Sequence, residues 1–206
     1  MKSLNEKIET SNSEIEKLKV KAILQIELGN AESRFAVIHE NKTISYTISK
    51  RSEFAELPQK YNIPDEYLNE NSTILKYVDK DSKETRLIAN GMIVKREFAD
   101  TSIRPTSLHT KSSQEVTIWI LRLAFKEAII YLADYYKKKP EHIDFTFDVG
   151  VLLSPVEEAA SLDICEKIKE ISYIETIAPY VLKKELKIDK VFTSLESVVS
   201  FKGCYV

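Results

Sequence analysis

The sequence has 206 residues, of which 43% are hydrophobic and 30% charged, and its net charge is −2. This length and balance are typical of one large globular domain or two small ones with a buried core. The nearly neutral charge excludes a global positive field of the kind that holds nucleic acid or an anionic membrane, so neither is expected as a direct partner.

Targeting and redox signals are sparse. No apolar run approaches the roughly 18 residues of a membrane-spanning helix, and the first residues lack the apolar core of a secretory signal. Cys165 and Cys204 belong to no CxxC pair, and two cysteines are too few for a disulfide framework in a chain of this size. We therefore expect reduced thiols in a cytoplasmic protein.

The first part of the chain predicts a polar leader followed by strands. Residues 1–20 are rich in Glu, Lys, Ser and Asn, which favours a leader or short amphipathic helix outside the core, with one folded domain over 21–206. An apolar strand over 22–28 ends at Gly29-Asn30. Residues 33–38 and 43–48 then flank a polar tip and predict a β-hairpin.

The middle of the chain predicts a second hairpin and a long helix. Residues 49–73 read as irregular, and the hairpin covers 74–78 and 85–89, after which Asn90-Gly91 turns the chain into 92–95. Ser112 and Glu115 match a capping box, and no Gly or Pro interrupts 116–136. A helix that is apolar nearly all round is buried between layers.

The last part predicts a core strand, a helix and two further strands. Residues 143–153 are almost continuously apolar, as in an interior strand of a covered sheet. Ser154 and Glu157 match a second capping box with a proline at the first helical position. Strands are expected over 173–178 and 186–192. The fold class is therefore α/β, with helices packed on a mixed sheet.

Two short motifs could carry chemistry. Glu27, Gly29 and Asn30 place an acid, a glycine and an amide where one strand turns into the next. Such a turn can cradle a phosphate, and the acid can hold the waters of a magnesium ion, although any β-hairpin also needs a tight turn. Glu196 follows a strand, where a carboxylate can position an attacking water or can simply favour a helix start. Asp148-Val149-Gly150 lies inside an apolar strand, so its glycine indicates close approach of a neighbour instead.

Taken together, these segments resemble the N-terminal domain of bacterial actin-like proteins of the ParM plasmid-segregation type. Residues 24–37 are similar to the opening strand and first phosphate loop of that family, and 91–132 to its threonine-and-lysine region and long apolar helix. Residues 145–157 are similar to its core strand and following turn, and 191–200 to its strand and Pro-Glu-Ser turn, here Leu195-Glu196-Ser197. The resemblance covers roughly 22–200 and rests on order and spacing.

The resemblance implies the actin/Hsp70-like (ribonuclease H-like) fold, ATP with magnesium held between two domains, and filaments that move plasmids through a DNA-binding adaptor protein. Glu27 would stand at the aspartate that holds magnesium-bound water. Gly29 and Asn30 would form the phosphate turn, with Arg34 as a basic residue facing the nucleotide. Glu196 would position the hydrolytic water. Glu27 is one methylene longer than the family's aspartate.

The family's second phosphate loop and adenosine pocket would lie beyond Val206. We therefore expect either a piece of a longer ATPase or a shortened member. We expect this chain alone to be inactive and to bind ATP with magnesium weakly or not at all. A non-catalytic actin-like half-domain that binds or regulates filaments is the main alternative. A small-molecule kinase of the same superfamily ranks last, because the sequence lacks a recognisable sugar-site pattern.

Overall fold

The computed structural model describes residues 17–40, 46–68, 71–79 and 82–195. The strands of these ranges are β1 Leu18–Glu27, β2 Glu32–His39, β3 Tyr46–Arg51, β4 Phe54–Leu57, β5 Ser72–Val78, β6 Thr85–Gly91, β7 Ile143–Leu153, β8 Tyr173–Ala178 and β9 Leu182–Leu195. The α-helices are α1 Met92–Glu97, α2 Glu115–Tyr135 and α3 Ser161–Lys169, and short 3-10 turns cover Asp65–Tyr67, Ala99–Thr101, Lys111–Ser113, Pro140–His142 and Pro155–Ala160.

The strands form one mixed sheet in the order β3-β2-β1-β7-β9-β8-β5-β6-β4. At its centre, β1 and β9 both run parallel to β7. The register places Glu27 opposite Leu152 and Leu153 opposite Leu195. The carboxyl ends of the three central strands therefore meet at one edge of the sheet.

Both predicted hairpins and the core strand are confirmed. β1 pairs antiparallel with β2, β2 with β3, and β5 with β6. β7 has the predicted bounds, and its inward-facing residues, such as Phe147 and Val149, are fully buried.

Three segments differ from expectation. β1 begins at Leu18, inside the stretch predicted to be a leader, and Val20 is only 4% exposed. Residues 1–16 lie outside the described ranges, so the leader remains a prediction there. The region 49–73 was expected to be irregular but contains β4, and 92–95, to which the sequence analysis assigned no helix or strand, forms the first part of α1.

The long helix α2 lies across the sheet and carries much of the core. Trp119, Leu123, Phe125 and Ala128 are all at most 1% exposed, and they belong to the same core cluster as β1 and β7. This confirms the prediction of a helix buried between layers. Within the described ranges, no helix combines the length and hydropathy needed to cross a bilayer.

Both capping boxes were predicted wrongly. α2 starts at Glu115 after Gln114 with no side-chain cap, and Ser112 belongs to the preceding 3-10 turn. Ser154 also makes no side-chain cap. The carboxylate of Glu157 instead accepts a hydrogen bond of 3.1 Å from the backbone N–H of Lys111. The Glu157 side chain therefore binds the backbone N–H of Lys111, which is distant in sequence, and not that of Ser154 as the capping box predicted.

The glycine in the core strand behaves as expected. A Cβ on Gly150 would lie 2.6 Å from the ring of Phe192 on the neighbouring strand β9. Close approach of that ring, and not phosphate chemistry, explains the acid-x-glycine pattern at this position.

Candidate functional site

The turn between β1 and β2 lies at the edge where the carboxyl ends of β1 and β7 meet. A Cβ on Gly29 would overlap the carbonyl oxygen of Glu32, so the tightness of the turn itself requires glycine. The N–H of Gly29 donates to Ser33 Oγ at 3.3 Å, and Ser33 Oγ lies 2.8 Å from Ser52 Oγ. Asn30 at the tip is exposed. A ligand would thus meet a turn whose geometry is already fixed.

Glu27 and Arg34 face each other beside this turn. They are paired residues of β1 and β2, and Arg34 Nη1 lies 3.5 Å from Glu27 Oε2. Both side chains are partly exposed. The structure therefore brings together the acid and the base expected at the site, and it places them in an ion pair with each other.

The side chains near the turn can be tested for their ability to hold a magnesium ion. Among the described residues, no group of three or more His, Cys, Asp or Glu side chains could hold a metal. Glu27 offers one solvent-reached carboxylate, which suits contact through metal-bound water when phosphate oxygens supply other ligands. The residues present therefore fit a magnesium ion that arrives with a nucleotide.

Two residues that the sequence analysis did not assign to the site also lie at this edge. Lys111 Nζ donates a hydrogen bond to the carbonyl oxygen of Leu28, the residue before Gly29. The same Nζ lies 3.5 Å from Glu157 Oε2. Glu157 follows β7 closely, and the rule that neighbouring parallel strands end at a shared edge would have pointed to it. No local signal pointed to the Lys111 contact.

Glu196 lies outside the described residues. Leu195 is the last residue of β9 and is paired with Leu153. The register therefore places Leu195 at the same edge as the β1–β2 turn, and both the position of Glu196 and its role in orienting water stay predictions.

Comparison with known proteins gives a structural answer. No family model matches the sequence, and no curated protein matches it at a significant level. Solved structures do match. Bacillus thuringiensis ParM in apo form has a TM-score of 0.59 and 13% identity, covering 88% of this chain and 47% of that chain. AlfA from B. subtilis plasmid pLS32, solved as a filament, has a TM-score of 0.55 and 10% identity, covering 85% and 56%.

The chain has the actin-like fold of ParM and AlfA. The expected fold class, a mixed sheet with packed helices, is thereby confirmed. Bacillus thuringiensis ParM with ATP also matches, with a TM-score of 0.55 and 14% identity over 85% of this chain and 45% of that chain. This actin-like chain spans about half the length of the ParM and AlfA chains that it matches.

Proposed function

We propose that this chain is the N-terminal half of an actin-like ATPase that forms filaments for plasmid segregation. The observation that carries the proposal is the fold match to ParM and AlfA over more than four fifths of the chain. These structural neighbours supply the rest: Bacillus thuringiensis ParM is solved with ATP, and AlfA, from a B. subtilis plasmid, is solved as a filament.

In this proposal, the edge at the end of β1 binds the phosphates of ATP. Gly29 and Asn30 form the phosphate turn, and Arg34 faces the nucleotide from β2. Glu27 holds magnesium-bound water, for which it must leave its ion pair with Arg34. Glu196 orients the water that attacks the terminal phosphate. Bound magnesium would neutralise the phosphate charge.

The proposed partners follow from the same relatives. We propose self-association into filaments and a plasmid DNA-binding adaptor protein, all in the cytoplasm. The net charge of −2 gives no support to direct binding of nucleic acid or of an anionic membrane. An adaptor would therefore make the contact with the plasmid.

Sedimentation of the complete encoded protein tests this proposal. The protein should pellet with ATP and magnesium and stay in the supernatant with ADP or without nucleotide. Glu196→Ala should still pellet with ATP but release phosphate at least about a hundredfold more slowly, because a water-positioning carboxylate is removed. Pelleting that is independent of nucleotide would contradict the ATPase.

A second candidate is a non-catalytic half-domain that binds filaments. The ion pair between Glu27 and Arg34, which engages the acid and the base at the turn with each other, is the observation that fits it. Such a module would co-sediment with filaments of a full-length relative and would bind no nucleotide in equilibrium dialysis, which separates it from the ATPase.

A further inference from the structure

Lys111 and Glu157 form a buried ion pair at the carboxyl edge of the central strands. Lys111 is 9% exposed and Glu157 is 6% exposed. The backbone N–H of Lys111 donates to Glu157 Oε1 at 3.1 Å, while its Nζ lies 3.5 Å from Glu157 Oε2. One carboxylate therefore contacts both ends of the same lysine.

The pair is incompletely satisfied. Within the described part of the chain, no donor forms a hydrogen bond with Glu157 Oε2, although this atom is buried. Lys111 Nζ gives its hydrogen bond to the Leu28 carbonyl instead. A buried carboxylate oxygen without a hydrogen bond is unusual and calls for an explanation, such as a ligand or a functional strain. The Lys111–Glu157 side-chain contact is therefore an ion pair without a hydrogen bond, so the ammonium has no optimal anionic partner among the described residues.

The position of the lysine connects it to the phosphate turn. Its ammonium touches the carbonyl of the residue that precedes Gly29. The backbone of Lys111 is fixed, because its N–H is bound by Glu157 and its carbonyl accepts a hydrogen bond from Thr117 Oγ1 in α2. The flexible four-carbon side chain can turn while the backbone stays in place.

We infer that Lys111 and Glu157 are a charge-exchange pair. Glu157 holds the Lys111 ammonium in the interior, and the phosphate oxygens of a nucleotide or other polyphosphate at the Gly29–Asn30 turn replace Glu157 as its partner. This inference rests on the proposed function for its ligand. It assigns Lys111 as the anion-binding cation and makes Glu157 the competitor that weakens binding.

The test is a counter-ion deletion on the whole 206-residue chain. Glu157→Gln keeps the acceptor for the Lys111 N–H and removes the competing charge, so tripolyphosphate should bind about tenfold more tightly than to the wild type. The matched control is Glu158→Gln, which changes the net charge equally at an exposed neighbouring position and should leave the affinity unchanged. Calorimetry at low ionic strength measures both.

A second variant keeps the test decisive if Glu157→Gln folds poorly. Lys111→Met/Glu157→Gln leaves no buried charge unpaired and should lose the stabilisation by tripolyphosphate that the wild type gains in a thermal melt. An unchanged affinity in folded Glu157→Gln, an equal gain in Glu158→Gln, or equal stabilisation of the double variant and the wild type would each overturn the exchange pair.

An ATP arm, run on the complete encoded protein because this chain alone is expected to bind ATP weakly or not at all, separates this inference from the proposed function. If Glu157→Gln gains affinity for tripolyphosphate but does not bind ATP, the exchange pair stands and the nucleotide-binding role fails. If the wild type binds ATP and Glu157→Gln binds it no more tightly, the exchange pair fails and the proposed function stands. Equal gains for ATP and tripolyphosphate support both.

Discussion

The indole nitrogen of Trp119 donates a hydrogen bond of 2.9 Å to the hydroxyl of Tyr77. This bond ties α2 to β5 in the interior, and the guanidinium of Arg122 lies 4.5 Å from the Tyr77 ring centre. The helix is therefore fixed to the sheet by a polar contact as well as by apolar packing.

We expect Tyr77→Phe to lower the free energy of unfolding by about 1–3 kcal/mol, because it leaves the Trp119 N–H buried without an acceptor. The chain has one tryptophan, so its fluorescence during urea denaturation reports the transition directly. The control is Tyr173→Phe at a half-exposed position, which should change stability by less than about 0.5 kcal/mol. Equal losses in the two variants would contradict the role of the bond.

Leu123 on α2 tests the buried helix face. Leu123→Asp places an unpaired charge where the side chain is 1% exposed, at a cost of several kcal/mol. Leu162→Asp makes the same change on α3, where the leucine is 75% exposed. Circular dichroism should find the first variant unfolded or aggregated and the second one native. A native melting curve for Leu123→Asp would refute the burial.

Two glycines should differ sharply in their tolerance of alanine. Gly91 has φ of 96°, and a Cβ there would overlap the carbonyl oxygen of Asn71. The neighbour of Gly150 is the half-exposed ring of Phe192, which can turn aside. We expect Gly91→Ala to cost about 1–3 kcal/mol and Gly150→Ala to cost less. Thermal denaturation compares the two variants, and a larger loss of stability for Gly150→Ala than for Gly91→Ala would contradict the prediction.

The ion pair of Glu56 with Arg86 predicts a pH dependence. Arg86 donates from Nε at 2.8 Å and from Nη2 at 2.5 Å, and these hydrogen bonds lower the pKa of Glu56 against the opposing effect of burial. A carboxylate with a lowered pKa contributes stability above its unfolded value and loses it as the pH falls through the folded value.

Glu56→Gln should therefore destabilise the protein at pH 7 by roughly 0.2–1 kcal/mol, since the pair is partly exposed. The difference in unfolding free energy between this variant and the wild type should become smaller when the pH falls below 4.5, the ordinary pKa of a glutamate. Urea denaturation at pH 7 and at acidic pH measures it. A difference that stays constant over this range would show that charge is not the cause.

We expect this chain alone to hydrolyse no ATP at a useful rate. Phosphoryl transfer requires the phosphate, metal and water to be positioned together in a closed site. In the proposed site, Gly29 and Asn30 form one side of a phosphate cradle, and Asn30 is exposed to water, which weakens electrostatic contacts. A phosphate-release assay decides the matter, and turnover abolished by Glu196→Ala would contradict the expectation.

The elements that could be predicted from the sequence are those whose pattern lies within a single segment. β7 and α2 were predicted almost to the residue, because a nearly continuous apolar run is a property of the segment itself. The start of β1 was missed because Lys17, Lys19 and Lys21 alternate with Leu18 and Val20 and make the composition polar. A strand with one solvent-facing side is detected by the two-residue period of its apolar positions, and not by its average hydrophobicity.

The candidate site was predicted in part for the same reason. The Glu27–Asn30 turn and Arg34 are neighbours in sequence, and the structure brings Glu27 and Arg34 together. The Lys111–Glu157 contact joins residues far apart in the chain, so Glu157 was assigned to a helix cap. A pattern such as Ser-x-x-Glu describes local hydrogen bonds only. It cannot show that a residue far away in the sequence, here Lys111, binds the glutamate in the folded chain.

The parallel pairing of β1 with β7 has a consequence for biosynthesis. β1 can form its hairpin with β2 early in synthesis. The other edge of β1 stays unpaired until Ile143–Leu153 has left the ribosome, and pairings between segments so distant in sequence form slowly. An unpaired edge strand invites association with other nascent chains, and lysines discourage it. Lys17 and Lys21 later contact Asp144 and Asp148 at 3.6 and 3.3 Å. The lysines that discourage association with other chains thus end as ion-pair partners of the strand that finally covers this edge.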